Sequence, residues 1–278
     1  MRWKGFGSDA AVARVSGSCS RSRAGRATRR IPQLLLLATA AAGCSIVPAA
    51  PPGWNGPFDV QTVLARAVVA AGGPDAVALP ARVRSRTRVL LHPDAGEPIA
   101  GELTYWADGA SCERRELVTD DGRELVQMVQ GDLALEIEDG VATGRDLDEE
   151  VRVRRRYRSL LADFAAAPPR SCVLAAEPDA EPGREIVVES SGPEGERWQL
   201  WLDPATLLST RIRRIVRRGG DDSIEEDRLF AHERFGARVV ARGRSTWIDG
   251  RRRKDAWLLE FHEDVAPDPE LFRLPPTR

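Results

Sequence analysis

Cys44 is the residue whose position most clearly indicates a chemical modification. It follows Ala41, Ala42 and Gly43, small residues of the kind that fit the groove of a signal peptidase. Only cysteine supplies the nucleophilic sulfur that accepts a diacylglyceryl group. The segment is typical of a bacterial lipobox, so we expect Cys44 to carry acyl chains such as palmitate and to become the mature N-terminus. The alternative is an ordinary signal peptide cut near Ala50, which would discard Cys44.

The rest of the sequence lacks the common catalytic patterns. His92, His232 and His262 are far apart and stand outside any HExxH, HxH or paired-cysteine context that would indicate zinc. No GxSxG, GxxxxGK[ST] or GxGxxG motif marks a hydrolase, a P-loop enzyme or a dinucleotide binder. Adjacent acids such as Glu225 and Glu226 point to opposite faces of a strand. We therefore predict that the protein is not an enzyme and has no metal and no cofactor.

The residues before Cys44 read as an export signal. A basic stretch precedes an apolar run from Leu34 to Ala42, which is far shorter than the ~20 residues of a spanning helix. We assign 1–43 to a lipoprotein signal peptide and 44–57, rich in Pro and Gly, to a tether. Because each buried CH₂ of an acyl chain contributes ~0.8 kcal/mol, lipidation would hold the protein on a membrane. Ser45, a non-acidic residue after the cysteine, favours the outer membrane over the inner one, with the domain facing the periplasm.

The charge distribution argues against nucleic-acid binding. The chain of 278 residues has a formal net charge of −1, but eight basic residues and one acid lie before residue 44. From residue 44 onward 33 basic residues oppose 41 acidic ones, and a domain of that sign repels a phosphate backbone. The 42% of hydrophobic residues suffice for one large folded domain, which we place at 58–278.

Three helical segments are expected in this domain. Apolar residues at helical spacing predict a helix over 58–71, which Gly72, Gly73 and Pro74 end. A short second turn over 75–79 follows. The segment 146–164 begins with acids and continues with arginines, which suits the helix dipole, and predicts another helix.

The remaining chain predicts about a dozen antiparallel strands. Runs rich in Val, Ile, Leu, Thr and Trp alternate with turn residues. The predicted strands are 83–92, 100–107, 111–119, 123–130, 133–138, 171–177, 184–190, 196–202, 207–217, 224–234, 238–248 and 253–262. Alternation within them predicts one apolar face, carried by Leu103, Tyr105, Leu133, Leu135, Ile137, Trp198, Leu200, Leu202, Trp257, Leu259 and Phe261. The other, solvated face is predicted to carry Glu102, Glu136, Gln199 and Glu260.

Three segments in this order, behind a lipobox, resemble the periplasmic and outer-membrane lipoprotein-sorting family of LolA and LolB type. They are AVVAAGGPDAV at 67–77, WLDPATLLSTRIRR at 201–214 and DVAPDPELFRLPP at 264–276. The resemblance spans most of 58–276. It implies a mostly β (α+β) fold: a single curved antiparallel sheet of about eleven strands, forming an unclosed β-barrel with helices covering its concave side.

The resemblance also implies a bacterial envelope lipoprotein that binds lipid or acyl chains in an apolar cavity, as in lipoprotein sorting or lipid transport. The residues that we expect to line the cavity are Leu103, Tyr105, Leu135, Ile137, Trp198, Leu200, Leu202, Trp257, Leu259 and Phe261, although each is equally suited to an ordinary core. The alternative is a non-enzymatic envelope scaffold with a filled core, which would hold a protein partner at a strand edge.

Several further residues have no single predicted role. The family's carrier has a strand arginine that holds a helical lid through backbone carbonyls, but the many arginines here let none be assigned. A protruding apolar loop, known in the family's receptor, has Leu207-Leu208 as its candidate. Cys112 and Cys172 could form a disulfide or stay as two buried free thiols. The arginine-rich blocks 152–158, 211–218 and 251–254 either meet anionic headgroups or form cross-strand ion pairs.

Overall fold

The fold was analysed in a computed structural model. It describes residues 50–273, except 110–111, 131–132, 139, 145–147, 169–170, 176–184, 193–194 and 219–220. The predicted signal peptide 1–43 and Cys44 lie outside the described residues.

Within these described residues, three α-helices and one short 3₁₀-helix form where the sequence supplies caps and breakers. α1 (Val60–Ala70) begins after Asp59, whose Oδ1 accepts from the Thr62 amide at 3.0 Å. α2 (Pro74–Val77) has proline in its first turn and follows Gly72 and Gly73, both with positive φ. α3 spans Asp148–Ala166, and a 3₁₀-helix spans Pro269–Phe272.

In the described part of the chain, thirteen strands form one antiparallel sheet. They are β1 (Arg82–Leu91), β2 (Ile99–Asp108), β3 (Cys112–Thr119), β4 (Glu124–Gln130), β5 (Leu133–Glu138), β6 (Val141–Gly144), β7 (Cys172–Ala175), β8 (Ile186–Ser191), β9 (Arg197–Leu202), β10 (Ser209–Arg218), β11 (Asp221–Phe235), β12 (Arg238–Ile248) and β13 (Arg251–Glu263). Every predicted strand is present at nearly its predicted bounds. Among the strands that the structure describes, the short β6 is the one that was not predicted.

The strand order explains how one helix comes to cover the sheet. The chain moves outward from β1 to β6 at one edge, and α3 then returns it to β7 at the other edge. From β7 the strands run back in order until β13 pairs with β1. Among the described residues β6 and β7 do not pair with each other, so the sheet is an unclosed barrel, with thirteen strands where about eleven were expected.

The face of the sheet that carries the helices, here called the concave face, holds the main core. Val63 and Leu64 of α1 and Leu160 and Phe164 of α3 are at most 1% exposed. They pack against buried residues of β7 to β10, namely Cys172, Ile186, Val188, Trp198, Leu200, Leu202 and Ile212. Helices and sheet therefore share one core, as two packed layers require.

Two local irregularities change which residues reach the concave face. The β1–β13 register shifts between Arg86 and Thr87, which leaves Leu259 as an extra residue between the partners of these two. In β11, Ala231 has a φ of 54°, in the left-handed region. Strict alternation therefore does not hold through β11 and β13.

Candidate functional site

A cavity of about 340 Å³ lies on the concave face between the helices and the sheet. Its apolar lining comes from every surrounding element. α2 and the segments beside it supply Ala71, Ala76, Val77, Leu79 and Pro80; the sheet and α3 supply Val83, Tyr105, Leu161, Leu200, Ile212, Leu229, Val239, Val240, Ala241 and Phe261. The volume falls in the usual range of small-ligand sites, ~300–1,000 Å³. The apolar face of the sheet is therefore not completely filled by the protein's own side chains.

The turn between α1 and α2 holds the helices close to β12. Gly72 has a φ of 113°, and a side chain there would collide with the backbone carbonyl of Ala237. The Val239 amide donates to the Ala71 carbonyl at 3.0 Å, which fixes the end of α1 on the same strand. The Gly-Gly segment seen in the sequence thus lets α2 lie over the cavity.

Arg238 of β12 joins α2 to the sheet. Its Nη1 donates to the carbonyls of Ala76 and Ala78, the latter at 2.9 Å, and its Nε donates to Glu263 at 2.6 Å. These bonds satisfy carbonyls at the C-terminal end of α2, where a cation is favourable. Arg238 therefore makes the helix-carbonyl contacts that the family resemblance implied and that the sequence alone could not assign.

The charged lining comes from β11, β12 and α3. His232 and Arg238 lie where β11 and β12 meet α2, Asp227 and Arg244 lie further along the same two strands, and Arg158 belongs to α3. Arg238 and Arg244 are six residues apart on one strand, or ~20 Å at ~3.3 Å per residue. Burial lowers the pKa of His232 below its ordinary value, so this side chain is mostly neutral at pH 7.

Three of the predicted lining residues reach the cavity, namely Tyr105, Leu200 and Phe261. Trp198 and Leu202 are 0% exposed and belong to the packed core between α1, α3 and the sheet. Leu103 lies opposite Thr87 and Leu117 and is half-buried, outside the lining of the cavity.

Leu135 and Ile137 lie on the convex face, contrary to the sequence analysis. Leu135 is directly opposite Met128, whereas its neighbour Glu136 is opposite Gln127 and accepts from it at 3.0 Å. Gln127 in turn accepts from Arg154 of α3 at 3.1 Å, so the polar residues face the helix. The physical reason is that arginines of α3 lie over β4 and β5 on the concave face, so the polar side chains of these strands face them.

Trp257 and Leu259 also lie outside the cavity. Phe261 is opposite Ser85 on the concave face, but the register shift brings Leu258 opposite Thr87 and turns Trp257 outward. Trp257 is 40% exposed, and its ring centroid lies 6.2 Å from that of Phe230. Leu259 is 40% exposed. The prediction of one common face for Trp257, Leu259 and Phe261 was wrong because the bulge adds one residue to the strand.

The candidate protruding loop folds inward. Leu207 and Leu208 both line the cavity, and Leu207 has a φ of 59°. Asp203 Oδ1 accepts from the amides of Ala205 and Thr206 at 2.9 and 2.7 Å, which fixes this turn. Leu207 packs against the core cluster.

Cys112 and Cys172 are not bonded to each other. Cys112 is half-buried on β3, whereas Cys172 is 2% exposed at the edge strand β7. Burial raises the pKa of the Cys172 thiol, which suits a protonated core residue. The alternative of separate thiols therefore describes the structure, and the disulfide is not formed.

The arginine-rich strands form ion pairs across the sheet. Arg213 Nη2 lies 2.9 Å from Glu226, Arg214 Nη1 lies 3.4 Å from Glu225, and Arg253 lies 2.5 Å from Asp94. Arginine stacks on Trp201 add to this pattern, with Arg211 4.2 Å from the ring centroid. Cross-strand pairing therefore accounts for much of block 211–218, whereas arginines of block 251–254 pair with Asp94 in the β1–β2 connection and with Asp255 of the same strand.

Four basic residues of the described lining were not predicted as site residues, namely Arg158, His232, Arg238 and Arg244. His232 reaches the cavity beyond the irregular Ala231, and Arg238 is one of many arginines. Arg158 could have been suspected from the sequence, because it directly follows Tyr157, an apolar-face residue of the predicted helix 146–164.

Neither a metal site nor a membrane-spanning helix is found in the described part of the chain. No three His, Cys, Asp or Glu side chains there group as metal ligands would. No helix there has the length and apolar composition needed to cross a bilayer.

Comparison with solved structures shows that the fold is similar to that of a LolA superfamily protein and of a DUF1329 family protein. A LolA superfamily protein from Nitrosomonas europaea superposes with a TM-score of 0.51 at 10% identity, covering 78% of this chain and 99% of its own. A DUF1329 family protein from Desulfovibrio piger gives a TM-score of 0.51 at 13% identity, covering 77% and 97%. No protein-family model and no curated protein matches the sequence. The likeness thus concerns the fold, with almost no similarity of sequence.

Proposed function

We propose that this protein is a bacterial envelope lipoprotein that binds an acyl chain of a lipid or lipoprotein in the cavity on its concave face. The unfilled apolar cavity of about 340 Å³ carries this proposal. Acyl chains gain ~0.8 kcal/mol for each CH₂ that leaves water, so they occupy an accessible apolar hollow of this kind. The role is binding or transfer, as in lipoprotein sorting, and not catalysis.

The alternative of a scaffold with a filled core fits the geometry less well. Its sheet would be covered completely by helix side chains, as it is around Trp198 and Phe164, which are at most 1% exposed. Beneath α2, by contrast, the lining residues leave space. A protein partner at the edge strand β6 or β7 stays a prediction.

Anchoring at Cys44 determines where this binding takes place. A lipidated protein stays on its membrane, so we propose a role at the periplasmic face, with the outer membrane as the expected site. The end of the predicted tether is already part of the fold. The Trp54 and Phe58 rings pack edge to face at 5.3 Å, and Arg66 of α1 lies 4.5 Å from the Trp54 ring centroid. The free part of the tether therefore ends before Trp54.

Native mass spectrometry of the full chain with Cys44→Ala tests the binding proposal without interference from the protein's own acyl groups. We expect a co-purifying lipid, and, after delipidation, saturable binding of a fluorescent fatty acid. Leu229→Trp places a large ring in the cavity and should reduce binding at least about tenfold, since much of the chain's buried surface is lost.

Val118→Trp is the matched control. It introduces the same ring at a position that is 47% exposed on β3, where it should leave binding unchanged. A delipidated protein that binds no fatty acid, or one that binds equally well with Leu229→Trp, would contradict the proposal.

A further inference from the structure

The cavity has a cation on each of two walls, one formed by a helix and one by the sheet. Arg158 of α3 and Arg244 of β12 line it, together with Tyr105 and Tyr157. The Arg158 guanidinium lies 4.2 Å from the Tyr105 ring centroid and also donates to its hydroxyl, and Arg244 lies 6.0 Å from the Tyr157 ring centroid. Aromatic faces hold both guanidinium groups in place beside the apolar hollow.

Arg244 has hydrogen-bond donors left over. Its Nη2 lies 2.9 Å from Asp227 Oδ2, while Asp227 Oδ1 accepts from Thr246 at 2.6 Å. Asp227 is therefore occupied at both oxygens. A guanidinium has five N–H donors, and the buried Nε of Arg244 makes no hydrogen bond. Among the described residues that line the cavity, Arg244 alone has such a buried side-chain atom without a hydrogen bond.

The acids on this side do not remove the excess of positive charge. Glu113, 4% exposed, lies 2.8 Å from Arg155 and 3.9 Å from Arg158, so two arginines share one carboxylate. Lys254 lies opposite Thr246 on the same face of the sheet as Arg244. Burial is the main cause that lowers the pKa of Lys254 to about 7, and the nearby cation Arg244 lowers it further.

We propose that the cavity binds an amphiphile with one anionic headgroup; this proposal rests on the proposed function. Its chain lies in the hollow beneath α2, and its carboxylate or phosphate is held between Arg158 and Arg244. A guanidinium pair suits either group, because both present oxygens in the geometry that arginine binds in a bidentate manner. The neutral hydroxyls of Tyr105 and Tyr157 add no charge that would oppose it.

Three ligands that share one chain test the headgroup separately from the chain. Dodecanoate, dodecyl phosphate and dodecanol compete with a neutral fluorescent alkyl probe for the full chain carrying Cys44→Ala. We expect at least one of the two anions to bind about tenfold more tightly than dodecanol, the effect of one charge-assisted hydrogen bond. The better anion identifies the headgroup as a carboxylate or a phosphate.

Substitutions at Arg158 and Arg244 test whether these two side chains cause the preference for an anionic headgroup. Arg244→Gln is combined with Asp227→Asn, so that no buried carboxylate loses its partner, and Arg158→Gln is made separately. Each should lower the preference for the anion to about twofold or less, with little change for dodecanol. Arg242→Gln removes a guanidinium from the same strand outside the cavity, where it pairs with Glu233, and should keep the full preference.

The outcomes separate this inference from the proposed function. Equal displacement by all three ligands overturns the anionic headgroup but leaves acyl-chain binding standing. No displacement by any of them overturns both. An anion preference that persists in the Arg244 and Arg158 variants also overturns the inference, since the charge would then be recognised elsewhere.

Discussion

The guanidinium of Arg238 donates to the backbone carbonyl of Ala78, so that a side chain of β12 holds the end of α2 in place at 2.9 Å. The same Nη1 also donates to Ala76, and the Nε pairs with Glu263. A helix of four residues has too few internal hydrogen bonds to be stable alone. The C-terminal end of α2 is therefore held over the cavity by this side chain, while the turn at Gly72 holds its N-terminal end.

Replacing Arg238 should loosen α2 without unfolding the sheet. Because hydrogen bonds to a charged group contribute ~1.5–3 kcal/mol, Arg238→Gln should speed amide exchange in 74–79 about tenfold to a hundredfold. Hydrogen exchange with mass spectrometry measures this directly. Bound acyl probe should also dissociate faster, since the cover over the cavity opens more often.

Arg242→Gln serves as the control, because Arg242 pairs with Glu233 and the Leu258 carbonyl and does not touch α2. Protection of 74–79 that is the same in both variants would show that Arg238 does not hold the helix.

Gly72 and Gly73 should respond differently to the same substitution. Both have positive φ, of 113° and 101°, so alanine is strained at either position. A side chain at Gly73 meets open space, whereas one at Gly72 meets the Ala237 carbonyl. We expect Gly73→Ala to cost ~1–2 kcal/mol of unfolding free energy and Gly72→Ala at least ~1 kcal/mol more. Urea unfolding followed by tryptophan fluorescence compares them, and equal costs would mean that α1 is not seated against β12 as described.

The secondary structure could be predicted almost completely from local sequence. α1 and α3 lie within two residues of their predicted bounds, because their apolar spacing and flanking glycines or prolines are explicit in the sequence. β6 was missed because its four residues, Val141–Gly144, are too few to show alternation. Most neighbouring strands are also consecutive in the sequence; among the described strands, the β1–β13 pairing is the exception that joins distant parts of the chain.

The orientation of side chains was harder to predict, because it depends on irregularities that leave no clear mark in the sequence. One extra residue at Leu259 turns Trp257 outward, and the positive φ of Ala231 precedes the cavity residue His232. At β5 the pattern was read correctly as alternating, but the wrong face was assigned to the interior. The polar residue Glu136 faces inward because α3 presents Arg154 to its neighbour Gln127, a long-range contact.

Lys254 provides a test of the electrostatics on the face of the sheet that carries Arg244. The sequence has two lysines, Lys254 and Lys4, so titration of ¹³C-methylated amines can follow Lys254 with little overlap. Burial is the largest cause that lowers its pKa to about 7, followed by Arg244, Arg115 and Arg154, while Asp227 of β11 acts in the opposite direction. We expect a titration near pH 7, and a value near 10 would contradict this account of the site.

The same group should make stability depend on pH in a defined direction. In the unfolded chain a lysine keeps its proton up to ~10.4, so between pH 7 and 10 the unfolded state binds more protons and stability rises with pH, by at most ~1.4 kcal/mol per unit. Below pH 7 both states are protonated and the penalty for the buried charge is complete.

Lys254→Met removes that penalty, so it should stabilise the protein most at pH 6 and least at pH 10. Lys254→Arg keeps the charge at every pH and should become progressively less stable than the wild type as the pH rises. Urea unfolding of the three proteins at pH 6, 8 and 10 measures these differences, and a Met-minus-wild-type difference that does not change with pH would show that the Lys254 ammonium is solvated in the folded protein.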